Sequence, residues 1–230
     1  MIAVAVLEPF EFVFFQRGIV VATLAGALCG LVGVFVVLRS MSYIGHGLSH
    51  AVFGGAAVAS LLGISFFVGA GAWGVLAALL IGRVSARANV GADAAIGIVT
   101  TASFAIGLAI QSRSGAVSGS LDAVLFGNVL GVFRGDVVAM LVVGAAISAF
   151  VVAYRRELTF LTFDRDVART SGVRVDLIDA CFMVALAATV VVSVRIIGAL
   201  LISAMLVIPA GTARMLTDSI GRMMWTAPAL

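Results

Sequence analysis

Charge is scarce in this chain, and lysine is absent altogether. Only 11% of the 230 residues are charged, against 63% hydrophobic, and the mean hydropathy is +1.24. A soluble domain cannot cover so much apolar surface, so the composition implies an integral membrane protein. The long apolar runs lack the polar–apolar alternation of barrel strands, which makes the spans helical and the fold all-α. The 14 basic residues, all arginine, outnumber 11 acids to leave a net charge of +3. They are scattered at segment ends as topology signals, with no basic cluster of the kind that holds nucleic acid. No G-x-x-x-x-G-K-[ST] loop occurs, so the chain has no nucleotide-binding signature of its own. The two cysteines, Cys29 and Cys181, fall inside apolar runs, where they act as small hydrophobes, and no disulfide is expected. The N-terminal MIAVAVLEPFEF lacks a basic n-region and carries Glu8, Pro9 and Glu11. It is therefore unlike a cleaved signal peptide, and the first span is expected to act as the membrane signal.

What is abundant is apolar sequence of spanning length. About seven runs, at 18–38, 44–63, 65–82, 94–111, 135–154, 177–194 and 196–212, reach the roughly 20 residues a bilayer requires. They form a single transmembrane domain over residues 1–230, and Met224 to Leu230 is read as the start of a further span. With the N-terminus outside, ten arginines fall on the cytoplasmic side, while Arg17, Arg113, Arg134 and Arg195 lie outside. That distribution obeys the positive-inside rule. Glycines within the spans, such as Gly26, Gly30 and Gly33, are the small residues that let membrane helices approach closely. In the outer loop, Leu121 to Val132 is too apolar for a disordered connection and is read as a re-entrant or interfacial helix. Near the end, GALLISAMLVIPAGTARML places Gly198, Ala199, Ser203 and Ala204 at close-packing spacing before Pro209, which is expected to break or kink the helix. Arg195 interrupts the apolar sequence between two spans, as an outer-surface residue, a gate or a counter-ion.

The stretch from Arg155 to Asp179 is the only sizeable polar island. Within it, TFDRDVARTSGV reads as a short helix: Asp164 caps the start, Asp166 sits in the first turn, Arg169 in the last, and Gly172 ends it. Such a helix across the cytoplasmic mouth is either a solvated loop element or a receiver of mechanical force from a soluble partner.

The only two histidines, His46 and His50, lie in MSYIGHGLSHAVFGG. Residues four apart on a helix differ in direction by about 40°, so Ser42, His46, His50 and Gly54 form one narrow polar stripe. A second stripe, Gly47, Ala51, Gly55 and Ala59, has the small-residue spacing of close helix contacts. An isolated helical histidine is ordinarily a core residue with a hydrogen-bonding partner, whereas ionisable groups within a membrane concentrate on ion pathways. Spacing alone leaves both readings open.

Five stretches in order carry a more specific signal: VGVFVVLRSMSYIGHGLSHAVFGGAA, ADAAIGIV, LFGN, FDRDVARTSGV and GALLISAMLVIPAGTARML. With these, the chain resembles, over roughly residues 18–222, the membrane permease subunits of ATP-binding-cassette importers for zinc and manganese. The resemblance implies a type II importer-like permease in a prokaryotic plasma membrane, working as a homodimer with two cytoplasmic ATPase subunits and an extracytoplasmic metal-binding protein. No permanently bound cofactor is implied, and the metal is the cargo. The matching cytoplasmic helix, which in such importers docks on the ATPase, is here Phe163, Asp164, Arg165, Asp166, Val167, Ala168, Arg169 and Gly172. The family implies one or two further spans beyond the C-terminal end of this sequence.

The second-span motif of the family usually has aspartate where this chain has His46, while His50 fits the common pattern. Carboxylate favours hard manganese and imidazole suits borderline zinc, so the expected metal ligands, His46 and His50, move the expectation to zinc. Ser42 and Gly54 are expected to line the same pathway. Manganese or iron carried by the same architecture is the alternative. An intramembrane metallohydrolase using His46, His50 and Asp93 is disfavoured, because no general-base glutamate accompanies the histidines.

Overall fold

In the computed structural model, which describes residues 8–87, 91–114 and 126–230, the chain is helical, and no strand occurs among the described residues. The helices are α1 (Val13–Leu38), α2 (Ile44–Leu62), α3 (Phe66–Arg87), α4 (Ala92–Ser114), α5 (Arg134–Ala153), α6 (Arg155–Phe163), α7 (Arg165–Thr170), α8 (Val175–Leu216) and α9 (Ile220–Thr226). Short 3-10 turns occupy Glu8–Glu11, Val129–Gly131 and Ala227–Ala229.

Five helices, α1, α3, α4, α5 and α8, are long and apolar enough to cross a membrane. The expectation of about seven spans differs in two places. Helix α2 forms where a span was expected but is not among the five; its four glycines, two histidines and two serines dilute its apolar content. The last two expected runs form one 42-residue element, broken only at Gly198 (φ 81°, ψ 158°).

Contacts along α1 show what the break does. From Asp179 through Phe182 to Ser193, the partners on α1 move from Arg39 through Phe35 to Cys29. Past Gly198 the order reverses: Met205 lies against Gly26, and Leu206 and Ala210 lie against Gly33. The two limbs of α8 are therefore antiparallel and both pack on α1. Helix α1 is apolar around its whole circumference, and its C-terminal half, from Leu28 to Val36, is continuously buried. Glycines set the approach: a Cβ at Gly33 would run into the Leu206 carbonyl, and one at Gly30 would lie 2.5 Å from the Ala227 carbonyl. Pro209 sits inside the second limb without ending it.

The corner at Gly198 is pinned from outside. Gly127 (φ 73°) lies against it with its Cβ position 2.5 Å from the Gly198 amide nitrogen, and the Asn128 amide donates to the Arg195 carbonyl (3.1 Å). Of the expected outer-loop helix over 121–132, residues 121–125 lie outside the described residues. From Asn128 onward the chain makes the single 3-10 turn Val129–Gly131, closed by the Asn128 side chain accepting from the Gly131 amide (2.8 Å). Arg195 marks this corner: it pairs with Asp136 at the start of α5 (3.2 Å) and stands over the Phe67 ring (4.9 Å).

The polar island holds two helices where one was expected. Helix α6 was not read from the sequence; it forms with Leu158 and Leu161, three apart, buried on one side among Arg155, Arg156 and Glu157. Helix α7 follows the capping signals: the Asp164 carboxylate accepts from the amides of Asp166 (2.8 Å) and Val167 (3.0 Å), and Gly172 takes φ 82°. Cys29 is buried and Cys181 exposed, both as free thiols.

Candidate functional site

Helix α2 is held on several sides by its small residues. A Cβ at Gly47 would meet Ile96 (2.5 Å) and Thr100 (2.7 Å) of α4, and one at Gly45 would meet Leu206 (2.6 Å) of α8. Gly55 and Ala59 lie against Gly69 and Ala70 of α3. The second stripe thus packs, as its spacing implied. The first stripe divides. Ser42 and His46 are exposed and His50 is half-buried, whereas Gly54 is buried, its Cβ position 2.6 Å from the Ser103 carbonyl and 3.1 Å from the Trp73 indole nitrogen.

One helical turn brings the two imidazoles together, with ring centroids 4.4 Å apart and planes at 72°. Phe104 of α4 meets the His50 ring edge-on at 5.5 Å, which backs His50 from one side and leaves His46 open. Neither imidazole hydrogen-bonds to another described residue, so in each neutral ring one nitrogen keeps its acceptor lone pair free of the described residues. Within one chain the pair stands alone: no group of three or more His, Cys, Asp or Glu side chains that could hold a metal occurs among the described residues. Two nitrogens are fewer than a tetrahedral ion takes, so further ligands must come from elsewhere.

Two hydroxyls flank the same turn and were not read as functional from sequence. Thr100 Oγ1 beside Gly47, and Ser203 Oγ, whose Cα lies 3.5 Å from the Cβ position of Gly45, are buried without a hydrogen-bonding partner. An orphaned buried hydroxyl costs about 1–3 kcal/mol, so this part of the fold keeps polarity that packing alone does not explain.

Near the C-terminal end of α1, the short helix α7 divides into an inner and an outer face. Ala168 is fully buried and Arg165 turns inward to Asp179 of α8. Phe163 is 67% exposed, Val167 is exposed, and the Asp166 side chain is 92% exposed and paired only loosely with Arg169 (3.9 Å). A cavity of about 480 Å³ opens beside it, lined by Arg83, Arg165, Arg169 and Asp176 among others. The sequence reading missed Arg39 and Asp179; the available signal was a charged residue at the end of one apolar run and another at the start of a second.

Comparison with known proteins follows the same lines. A family model described as the ABC 3 transport family matches residues 11–230. The manganese transport system membrane protein MntC of Halalkalibacterium halodurans is 37% identical over 220 residues, covering 96% of this chain and 75% of that protein. A probable iron transport system membrane protein of Haemophilus influenzae is 34% identical over 223 residues, covering 97% of this chain and 82% of that one. The solved structure of PsaBC from Streptococcus pneumoniae in complex with Fab superposes with a TM-score of 0.85 at 34% identity, covering all of this chain and 82% of that chain.

Proposed function

We propose, for a chain that belongs to the ABC 3 transport family and is therefore a multi-pass permease of a metal importer rather than an enzyme, that His46 and His50 form the transient metal site of its translocation pathway. The observation that carries this reading is the pair of imidazoles 4.4 Å apart on the open side of a helix whose other sides are packed. Ser42 extends the same lining by one turn. Gly54 serves it by letting α2 and α4 cross closely, which sets the depth of His50.

Because one chain supplies two ligands, the site is completed in a homodimer, where two pairs give four nitrogens about one axis. A permanent four-imidazole site would hold the ion too tightly for turnover, so the ligand distances change between states. With α2 and both limbs of α8 counted, the chain makes about seven crossings. An extracytoplasmic binding protein delivers the ion.

Three ions are in contention, zinc, manganese and iron, each with its own support. The imidazole pair favours zinc over a hard ion. The relatives' names instead say manganese and, for one, iron. Uptake of zinc, manganese and iron by the complex in proteoliposomes, each in competition with the others, decides: zinc uptake unaffected by excess manganese supports the imidazole argument, and the reverse supports manganese. Absence of uptake of all three would sink the transport-site reading.

Only neutral imidazole binds metal, and free histidine titrates near about 6.5. Uptake is therefore expected to be maximal above about pH 7 and to fall as the pH drops through about 6. A profile flat from about pH 8 to 5.5 would argue against imidazole ligands.

Residues Phe163, Asp164, Arg165, Asp166, Val167, Ala168, Arg169 and Gly172 supply the coupling element, docking on two ATPase subunits through the exposed Phe163, Asp166 and Val167. Asp166→Arg reverses an exposed charge whose only ion pair is a weak one, so it leaves the fold intact. It is expected to abolish co-purification of the ATPase while the permease still inserts; undiminished co-purification would move the docking surface elsewhere.

A further inference from the structure

Asp179 is a carboxylate shared by two arginines from distant parts of the sequence. Arg39, just past α1, donates Nη1 to Asp179 Oδ1 (2.7 Å), and Arg165, at the start of α7, donates Nη2 to Oδ2. Arg39 also reaches Thr162 Oγ1 of α6 through Nε (3.4 Å) and lies over the Phe182 ring of α8, 4.4 Å from its centroid. One negative charge thus serves two positive ones, and Arg39 Nη2 is left buried without a partner.

The two arms are unequal. Side-chain exposure is 8% for Arg39 and 12% for Asp179, but 40% for Arg165. A buried pair is costly to break because either partner would be left as an uncompensated charge, whereas a half-solvated pair exchanges with water at little cost. The Arg39–Asp179 arm is therefore the fixed one, and Arg165 is the arm that a moving α7 pulls or releases.

What Arg39 is attached to gives the arrangement its consequence. Between Arg39 and α2, whose third residue is His46, lies only the corner Ser40–Tyr43, tightened by Ser40 at φ 56° and by the Met41 amide donating to the Val36 carbonyl (3.0 Å). The Ile44 amide donates to the Met41 carbonyl (2.9 Å), and Met41 and Ile44 are both buried. A corner hydrogen-bonded at both sides and anchored in the core transmits displacement rather than absorbing it.

We infer that Asp179 is a positioning residue that ties α7 to the α1–α2 corner, so that displacement of α7 reaches the turn bearing His46. The inference rests on the reading that α7 docks on the ATPase. None of Arg39, Thr162 or Asp179 touches the candidate metal site, so the effect passes through the backbone of the corner.

The test uses the complete complex of permease, ATPase and binding protein in proteoliposomes. It measures ATPase retention, basal ATP hydrolysis, and metal ions transported per ATP hydrolysed. Asp179→Asn is expected to retain the ATPase and its basal hydrolysis while the metal-to-ATP ratio falls at least tenfold; Asp179→Glu, which restores the charge, recovers most of the ratio. Arg39→Lys approaches the link from the other side, keeping the charge but losing the forked geometry, and is expected to lower the ratio several-fold. An unchanged ratio in Asp179→Asn or in Arg39→Lys overturns the inference, even where uptake and hydrolysis fall together, because a residue that only supports the fold lowers both in proportion. Loss of the ATPase from the Asp179→Asn complex also overturns it, by making Asp179 a docking residue. If the Asp166→Arg complex retains its ATPase, the docking reading fails and takes the inference with it, whereas an unchanged ratio removes the inference alone.

Discussion

Replacing His50 by alanine is expected to lower metal uptake by the assembled transporter more than about 100-fold, since losing even an outer partner of a metal ligand commonly costs about 10–100-fold. In a symmetric dimer the substitution removes two of four imidazoles and leaves too few nitrogens to replace the ion's hydration shell. The fold should survive, because His50 is only half-buried and its packing partner among the rings is Phe104 rather than a hydrogen-bonded network. Basal ATP hydrolysis by the partner should therefore persist while its stimulation by metal disappears. His46→Ala should behave similarly. His46→Asp is the more informative change: a carboxylate there is expected to shift uptake toward manganese, with His50 retained. Metal-stimulated hydrolysis and uptake, measured side by side for the three variants, check this. Equal stimulation in wild type and both alanine variants would remove the histidines from the pathway.

Gly198→Ala is expected to destabilise the chain by about 1–3 kcal/mol, because φ 81° with ψ 158° belongs to a region that is essentially glycine-only. No relaxation is cheap at this position. The corner is closed on the outside by Gly127, itself at φ 73°, and by the hydrogen bond from the Asn128 amide to the Arg195 carbonyl. Straightening the break would swing the second limb of α8 away from α1, stripping Leu206 and Ala210 from Gly33. The melting temperature of the detergent-solubilised protein should drop by roughly 2–12 °C. Gly71→Ala is the matched control. It lies within α3, and a Cβ there meets nothing within 4 Å, so its melting temperature should stay level or rise slightly. A Gly198 variant as stable as this control would mean that the limbs are held antiparallel by packing alone.

Local signals were the ones sequence expressed well. The capped helix α7 could be placed residue by residue because its determinants, the Asp164 cap and the Gly172 terminator, act within a few residues of each other. The pairing of His46 with His50 was legible for the same reason, since helical periodicity alone sets which side chains share a direction, whereas Ser42 falls in the corner before α2. Even the packing role of Gly47, Gly55 and Ala59 followed from spacing. Gly54 shows where spacing stops: it shares the histidine stripe, yet α4 crosses over it, and direction on a helix does not reveal which neighbour arrives there.

Composition, periodicity and capping by themselves determined that this is a helical membrane protein, where most helices lie, and that His46 and His50 share one side of a helix. Only the tertiary structure decided that the reversal expected beside Arg195 is made at Gly198, that Arg195 closes this corner with Asp136, and that Arg39, Arg165 and Asp179 converge. The reason is physical. Arg195 interrupts the apolar run, but the residue whose backbone makes the turn is set by what packs on it from outside, Gly127 and the Asn128 amide. A buried ion pair between α1 and α8 depends on two helices lying side by side, and nothing in either local sequence specifies its partner.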